Sequence, residues 1–159
     1  MEHPFPPLYS DTSRVLILGS FPSVKSRETA FFYGHPQNRF WRVMAAVLSA
    51  PVPKTVAEKT ALMLENGIAL WDVIASCSIV GSADSSITAA TANDLSPILA
   101  SGTVGAIFVN GKTAEKLYIR QIEPQIQRKA ICLPSTSPAN AAWSLERLID
   151  AWSVVKGYL

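Results

Sequence analysis

Apolar positions along the 159-residue chain fall into short runs that alternate with helical stripes. Arg14 to Gly19 reads Arg-Val-Leu-Ile-Leu-Gly, a β-branched apolar run closed by glycine, and predicts a buried strand. Comparable runs predict strands at Ile68 to Val73, Val104 to Val109 and Lys129 to Leu133. Between them, Phe40, Val43, Met44, Val47 and Leu48 recur at helical spacing, and Pro51 and Pro53 end that helix. Thr55-Val-Ala-Glu58 is a capping box that opens a second helix, stopped at Gly67. A short helix is predicted from Asp94 to Ala100 and a longer one over Thr113 to Ile119. Ala142, Leu145, Leu148, Ile149, Trp152 and Val155 form the stripe of a terminal helix. Two stretches, Ser20 to Asn38 and Ser76 to Ala92, show no period and read as long loops. The first holds Phe21, Phe31, Phe32 and Tyr33, too aromatic for a disordered segment.

Four strands alternating with helices predict an α/β fold in one domain, residues 1–159, with a parallel sheet covered on both faces. A ligand crevice in such a sheet lies beyond the carboxyl ends of the strands. Those ends are Gly19-Ser20, Trp71-Asp72, Asn110-Gly111 and Pro134-Ser135.

Composition narrows the function classes. Hydrophobic residues make up 48% and charged residues 16%, an ordinary globular balance. No apolar run approaches the roughly 18 residues of a membrane span. The start of the chain, with Pro4, Pro6 and Pro7, does not resemble a secretory signal, so a cytoplasmic location is expected. The net charge of +2 is low for a dedicated electrostatic DNA binder, which leaves a small local patch and helix N-termini as the routes to nucleic acid. Cys77 and Cys132 form no Cys-x-x-Cys pair and read as buried free thiols. With His3 and His35 the only histidines, no metal site and no cofactor is expected.

The strand ends carry the candidate chemistry. Gly19-Ser-Phe-Pro-Ser23 offers close backbone approach and, at Phe21, a face on which a base could stack, or a tight turn whose Phe21 plugs the core. Asn38, ahead of the Phe40 helix, is a helix cap, an amide that orients a water or a base edge, or both. Asn110 before Gly111 either reads a base edge or makes an Asn-Gly turn. Leu133 to Ala141 is Ser- and Pro-rich. It is either a phosphate-holding approach to the last helix or an ordinary helix start. The chain has no P-loop, dinucleotide fingerprint, zinc-protease motif or nucleophile elbow.

Four segments in this order, Gly-Ser-Phe-Pro-Ser at 19–23, Phe-Tyr-Gly-His-Pro-Gln-Asn-Arg-Phe-Trp at 32–41, Val-Asn-Gly-Lys at 109–112 and Leu-Pro-Ser-Thr-Ser-Pro-Ala-Asn at 133–140, resemble the uracil-DNA glycosylase superfamily, above all its hypoxanthine-DNA glycosylase branch. The resemblance covers nearly the whole chain. It implies a three-layer α/β/α sandwich with a central four-stranded parallel sheet, and metal-free cleavage of the N-glycosidic bond of a damaged base. Most of the superfamily places a catalytic Asp or Asn in the first strand-end motif, where this chain has Ser20 and Phe21. In the hypoxanthine branch the Asn of the Asn-Arg-Phe-Trp block takes that role, which falls on Asn38. Leu133 stands where uracil-specific members carry His, which argues against strong uracil activity, and Ala139 stands where mismatch-specific cousins often carry an Arg plug.

The resemblance thus implies a monomeric enzyme acting on DNA that contains a deaminated base. Asn38 orients the water. Gly19, Ser20, Phe21, Phe32 and Asn110 hold the flipped base, and Pro134, Ser135, Thr136 and Ser137 form the phosphate-contacting wedge loop. Should Asn38 be only a cap, Asp72 and His35 come next. The alternatives are a broader glycosylase for uracil, xanthine or mismatched bases, a lesion-binding protein without cleavage, or an α/β hydrolase or nucleotide-binding module unrelated to DNA.

Overall fold

The computed structural model describes residues 1–78 and 88–159. Its central sheet holds β1 (Val15–Gly19), β2 (Ile68–Asp72), β5 (Ala106–Asn110) and β6 (Ile131–Leu133) in the order β2-β1-β5-β6. All three pairings are parallel. Successive strand residues point to opposite faces, so a strand buried at every position is covered on both sides. Strand β1 meets that condition, with Val15, Leu16, Ile17 and Leu18 all at 0% exposure. The predicted parallel sheet sandwiched between helices is therefore what the chain forms. The register sets Gly19 beside Asp72 and Leu18 beside Val109, which brings all the strands' carboxyl ends to one edge.

The helices are α1 (Val24–Thr29), α2 (Phe40–Val47), α3 (Val56–Glu65), α4 (Ser96–Leu99), α5 (Lys112–Gln121), α6 (Glu123–Ile126) and α7 (Leu145–Trp152), with a 3-10 turn over Ser153–Tyr158. The Thr55 capping box forms as its sequence predicts, with Glu58 N–H bonding Thr55 Oγ1 and Thr55 N–H bonding Glu58 Oε1. The apolar face of α2 packs through Phe40 against Trp152 of α7, ring centroids 5.8 Å apart.

Both predicted loops contain regular structure. Within 20–38, Ser23 caps the six-residue helix α1, which is too short to show a period. Within 76–92, strands β3 (Ile74–Ser78) and β4 (Thr88–Ala92) pair antiparallel as a separate two-stranded sheet. Their Ala, Ser and Thr residues give little hydrophobic contrast for a period-two pattern. Residues 79–87 of that predicted loop lie outside the described residues. The terminal helix begins at Leu145 with Ser144 as its cap, later than the stripe from Ala142 suggests, because residues 134–144 form an ordered loop. Cys132 is only half-buried, since β6 is the edge strand of the sheet, while Cys77 is buried as expected.

One feature has no counterpart in the predicted elements. The chain before β1 straps along the other edge of the sheet. Leu8 exchanges both backbone hydrogen bonds with Leu70 of β2, and Glu2 bridges Ser76 of β3.

Candidate active site

A pocket of about 360 Å³ opens at the carboxyl edge of the sheet. Every strand of the sheet contributes to its wall, through Gly19 and Ser20 after β1, Asp72 of β2, Asn110 of β5 and Ser135 after β6. Phe21, Phe32, Asn38, Thr136 and Ser137 also line it. Of the catalytic, base-holding and wedge-loop candidates, Pro134 alone is missing from the described wall; its carbonyl accepts the indole N–H of Trp152 at 2.9 Å and ties the loop to α7.

The wall has two chemically different ends. One is aromatic. Phe21 and Phe32 are 7% and 2% exposed, and Phe5, from the N-terminal strap, meets Phe32 edge-on with centroids 4.8 Å apart. Tyr33, in the left-handed region at φ 53°, stacks on Phe40 at 4.0 Å. The Trp41 indole donates to the Phe32 carbonyl at 3.1 Å. The 32–41 block is thus folded back on itself, its first aromatics seated on its last two.

The other end is polar and centres on Thr136. Its hydroxyl donates to Asn38 Oδ1 at 2.9 Å and accepts from Asn110 Nδ2 at 3.0 Å. Its N–H donates to Asn110 Oδ1 at 3.1 Å, and its carbonyl accepts from Arg39 N–H at 3.0 Å. At 0% exposure with these groups engaged, Thr136 faces inward, holding the two candidate amides, rather than outward to a phosphate.

Asn38 lies one residue before the helix cap, which is Arg39, and its side chain bonds Phe40 N–H at 2.9 Å. A backbone N–H can only donate, so this bond fixes the amide orientation without ambiguity. Oδ1 accepts from Phe40 and Thr136, and Nδ2, which bonds no described residue, is left for the pocket. Asn38 thus presents a donor to whatever binds there.

The last loop is held in shape by its own turn chemistry. Ser135 Oγ accepts from Ser137 N–H at 3.1 Å and Ser137 Oγ accepts from Ala139 N–H at 3.2 Å. The Arg39 guanidinium reaches the carbonyls of Ser137, Asn140 and Trp143. Pro138 and Ala139 are left exposed at the loop tip beside the pocket. Gly111, at φ 94°, is required where this loop crosses the end of β5, since a Cβ there would lie 3.0 Å from Ser135 Cβ.

A family model for the uracil DNA glycosylase superfamily matches residues 6–156. The chain belongs to that superfamily. Its relatives include the hypoxanthine DNA glycosylase of Methanosarcina acetivorans, 33% identical over 156 residues and 95% of each chain. The hypoxanthine DNA glycosylase of Methanosarcina barkeri is 32% identical over 84 residues, 52% of this chain and 53% of the other. In solved structures, the chain superposes on the solution structure of a candidate uracil DNA glycosylase from M. acetivorans with a TM-score of 0.77 at 28% identity, covering 96% of both chains. The protein is accordingly a DNA glycosylase, a hydrolase of the N-glycosidic bond.

Sequence reasoning missed several residues of this glycosylase's pocket. Phe5 comes from a Pro-rich start that carries no strand or helix period. Tyr33 was visible only as part of an aromatic loop. The least expected feature is a buried pair. His3 Nε2 lies 2.7 Å from Asp72 Oδ2, with both side chains under 10% exposed. The two thiols take no part, since neither lines the pocket and burial pushes both up from the ordinary thiol range.

Proposed function

We propose that this glycosylase releases hypoxanthine from DNA, working as a monomer in the cytoplasm. The observation that carries the reading is the division of the pocket, with aromatic rings at one end and the Asn38–Thr136–Asn110 relay at the other. A base inside a duplex is out of reach, so the deoxyinosine flips out at a cost of a few kcal/mol, lowered by its weak pairing. The flipped base lies among Phe5, Phe21, Phe32 and Tyr33, and its sugar and phosphates reach toward Ser135 and Ser137. Asn38 Nδ2–H holds the oxygen of a water and leaves one lone pair for the sugar carbon. Cleavage of the C–N bond develops positive charge on the sugar, so a positioned water suffices without a strong base, and the proton it loses on bonding the sugar neutralises the departing base anion. The spare N–H of Asn110 and the backbone around Gly19 stabilise the charge leaving with the base.

Leu133, buried in β6 where uracil-specific relatives carry His, supports hypoxanthine over uracil. The test is single-turnover cleavage of duplexes carrying one hypoxanthine, uracil, xanthine or mismatched thymine, read as alkali-labile abasic sites. Hypoxanthine is expected to be released fastest and uracil much more slowly. Equal rates would replace this reading with a broader glycosylase, and tight binding without abasic sites would replace it with a lesion-binding protein.

A further inference from the structure

We propose that Asp72, fixed by His3, reads the ring N–H that deamination of adenine or cytosine creates, so that the pocket accepts hypoxanthine or uracil and refuses the parent base. The inference rests on the glycosylase reading of the pocket and adds the group that recognises its substrate class.

Asp72 ends β2 in the pocket wall, and its neighbours place it at the aromatic end. Its partner His3 lies among Phe5, Trp71 and Phe21, with centroids at 4.6, 4.3 and 5.8 Å. Of these, Phe5 and Phe21 line the pocket's aromatic end, where a base would stack, whereas Asn38, Thr136 and the serine loop belong to the opposite end. Asp72 therefore meets the base rather than the sugar.

The pair's orientation follows from its hydrogen bonds. Phe5 N–H points at His3 Nδ1 from 3.5 Å, which makes Nδ1 the acceptor and Nε2 the nitrogen that carries the proton toward Asp72 Oδ2. The second carboxylate oxygen, Oδ1, lies over Gly19, so close that a Cβ there would sit 2.4 Å from it. Asn93 Nδ2 pins the Asp72 carbonyl at 2.8 Å and keeps the end of β2 in place. A carboxylate with one oxygen held by an N–H offers the pocket acceptors only. No other Asp or Glu lines the described pocket.

Deamination changes what a base shows at this point. Adenine N1 and cytosine N3 are lone-pair acceptors. In their deamination products, hypoxanthine and uracil, the same ring nitrogen bears a hydrogen. A fixed acceptor binds the second set and repels the first. A staple between the N-terminal strap and β2 does not explain the pair by itself, because burying two polar groups is costly and an apolar contact would staple as well.

The experiment compares duplexes bearing deoxyinosine and 2′-deoxynebularine, whose purine base has a bare N1 acceptor. Single-turnover rates and dissociation constants are measured for wild type, Asp72→Asn, His3→Ala and His3→Gln. Differences in leaving-group ability between the bases cancel in the ratio of ratios. In Asp72→Asn the amide oxygen still accepts from His3, and its NH₂ then faces the base. The hypoxanthine-to-purine preference is expected to fall by about ten- to a hundredfold, the worth of one charge-assisted bond. His3→Ala should lose part of that preference, and His3→Gln, which retains a donor at a similar reach, should recover it. An unchanged preference in a folded Asp72→Asn protein, with both substrates affected alike, overturns the proposal and leaves the pair a staple. If the wild type releases no hypoxanthine, the lesion assignment has failed. The binding ratios then decide the reader on their own, a drop in Asp72→Asn supporting it and no change overturning it.

Discussion

Thr136 and Asn38, 98 residues apart in the chain, are joined by a hydroxyl-to-amide hydrogen bond of 2.9 Å. Two loops of different origin are locked through it. Asn38 approaches from before α2, Thr136 comes from after β6, and Asn110 at the end of β5 holds Thr136 from the other side. Thr136→Val keeps the shape and removes the hydroxyl. Asn110 Nδ2 then loses its acceptor and Asn38 loses one of two donors. Stability is expected to fall by about 1–3 kcal/mol, and cleavage at least tenfold because Asn38 is no longer held. Thr136→Ser should restore most of both. Urea denaturation and single-turnover rates on hypoxanthine DNA check the pair; a stable but inert Val variant and an unstable but active one would each contradict the linkage.

Gly19→Ala tests the floor of the pocket. The new Cβ would lie 2.4 Å from Asp72 Oδ1 and 3.1 Å from Tyr33 Oη, so the carboxylate must move. Overpacking of this kind costs about 1–3 kcal/mol. Cleavage should drop by more than tenfold while the far-ultraviolet dichroism stays native. Wild-type activity would show that Asp72 can be displaced freely.

A contrasting substitution belongs away from the pocket. Thr55→Ala removes the cap of α3 and should cost about 1 kcal/mol with no change in cleavage rate. The box also confers a pH dependence. Bonds from the Thr55 and Lys54 backbones hold the Glu58 carboxyl below its ordinary value. Its folded pKa is thus depressed, so its stabilisation is present above the ordinary glutamate value of 4.5 and fades as pH falls through the lowered one. Thermal melts from pH 7 to pH 3 should show the Glu58→Ala and wild-type curves converging toward low pH, where the wild-type carboxylate is also lost.

The sheet and its carboxyl edge were legible in the sequence because buried parallel strands are nearly continuous apolar runs, and Val15–Gly19 and Ala106–Asn110 are both of that kind. The 32–41 block was legible because its aromatics pair within ten residues of one another. His3 and Asp72 were not legible as a pair. Their contact spans 69 residues, and neither lies in a pattern that names the other. Thr136 was misleading, since a Ser- and Pro-rich loop reads as exposed, yet its one fully buried hydroxyl is what holds the amides. Arg39 carried no role in the sequence reading, and its bonds to three carbonyls of residues 137–143 show that it braces the last loop inside the fold.

The decisive substitution series is at Asn38, whose oxygen and nitrogen do different work. Oδ1 accepts from Phe40 N–H and Thr136 Oγ–H, a structural task, while Nδ2 faces the pocket. Asn38→Asp retains an oxygen for both donors and removes the N–H. It should fold with nearly wild-type stability. If the N–H holds the water, cleavage should fall by two or more orders of magnitude, on the order of 3 kcal/mol of transition-state stabilisation. Asn38→Ser retains a weaker acceptor for Phe40 and removes the amide, and should lose cleavage to the same degree. Asn38→Ala loses both tasks and should lose stability by about a further 1 kcal/mol. All three should still bind hypoxanthine DNA, because the aromatic end is untouched. Catalysis through the N–H therefore requires that Asp and Ser fail together. A fully active Asp variant would transfer the role to the oxygen, and a fully active, folded Ser variant would remove Asn38 from the chemistry and leave it as the brace for Thr136.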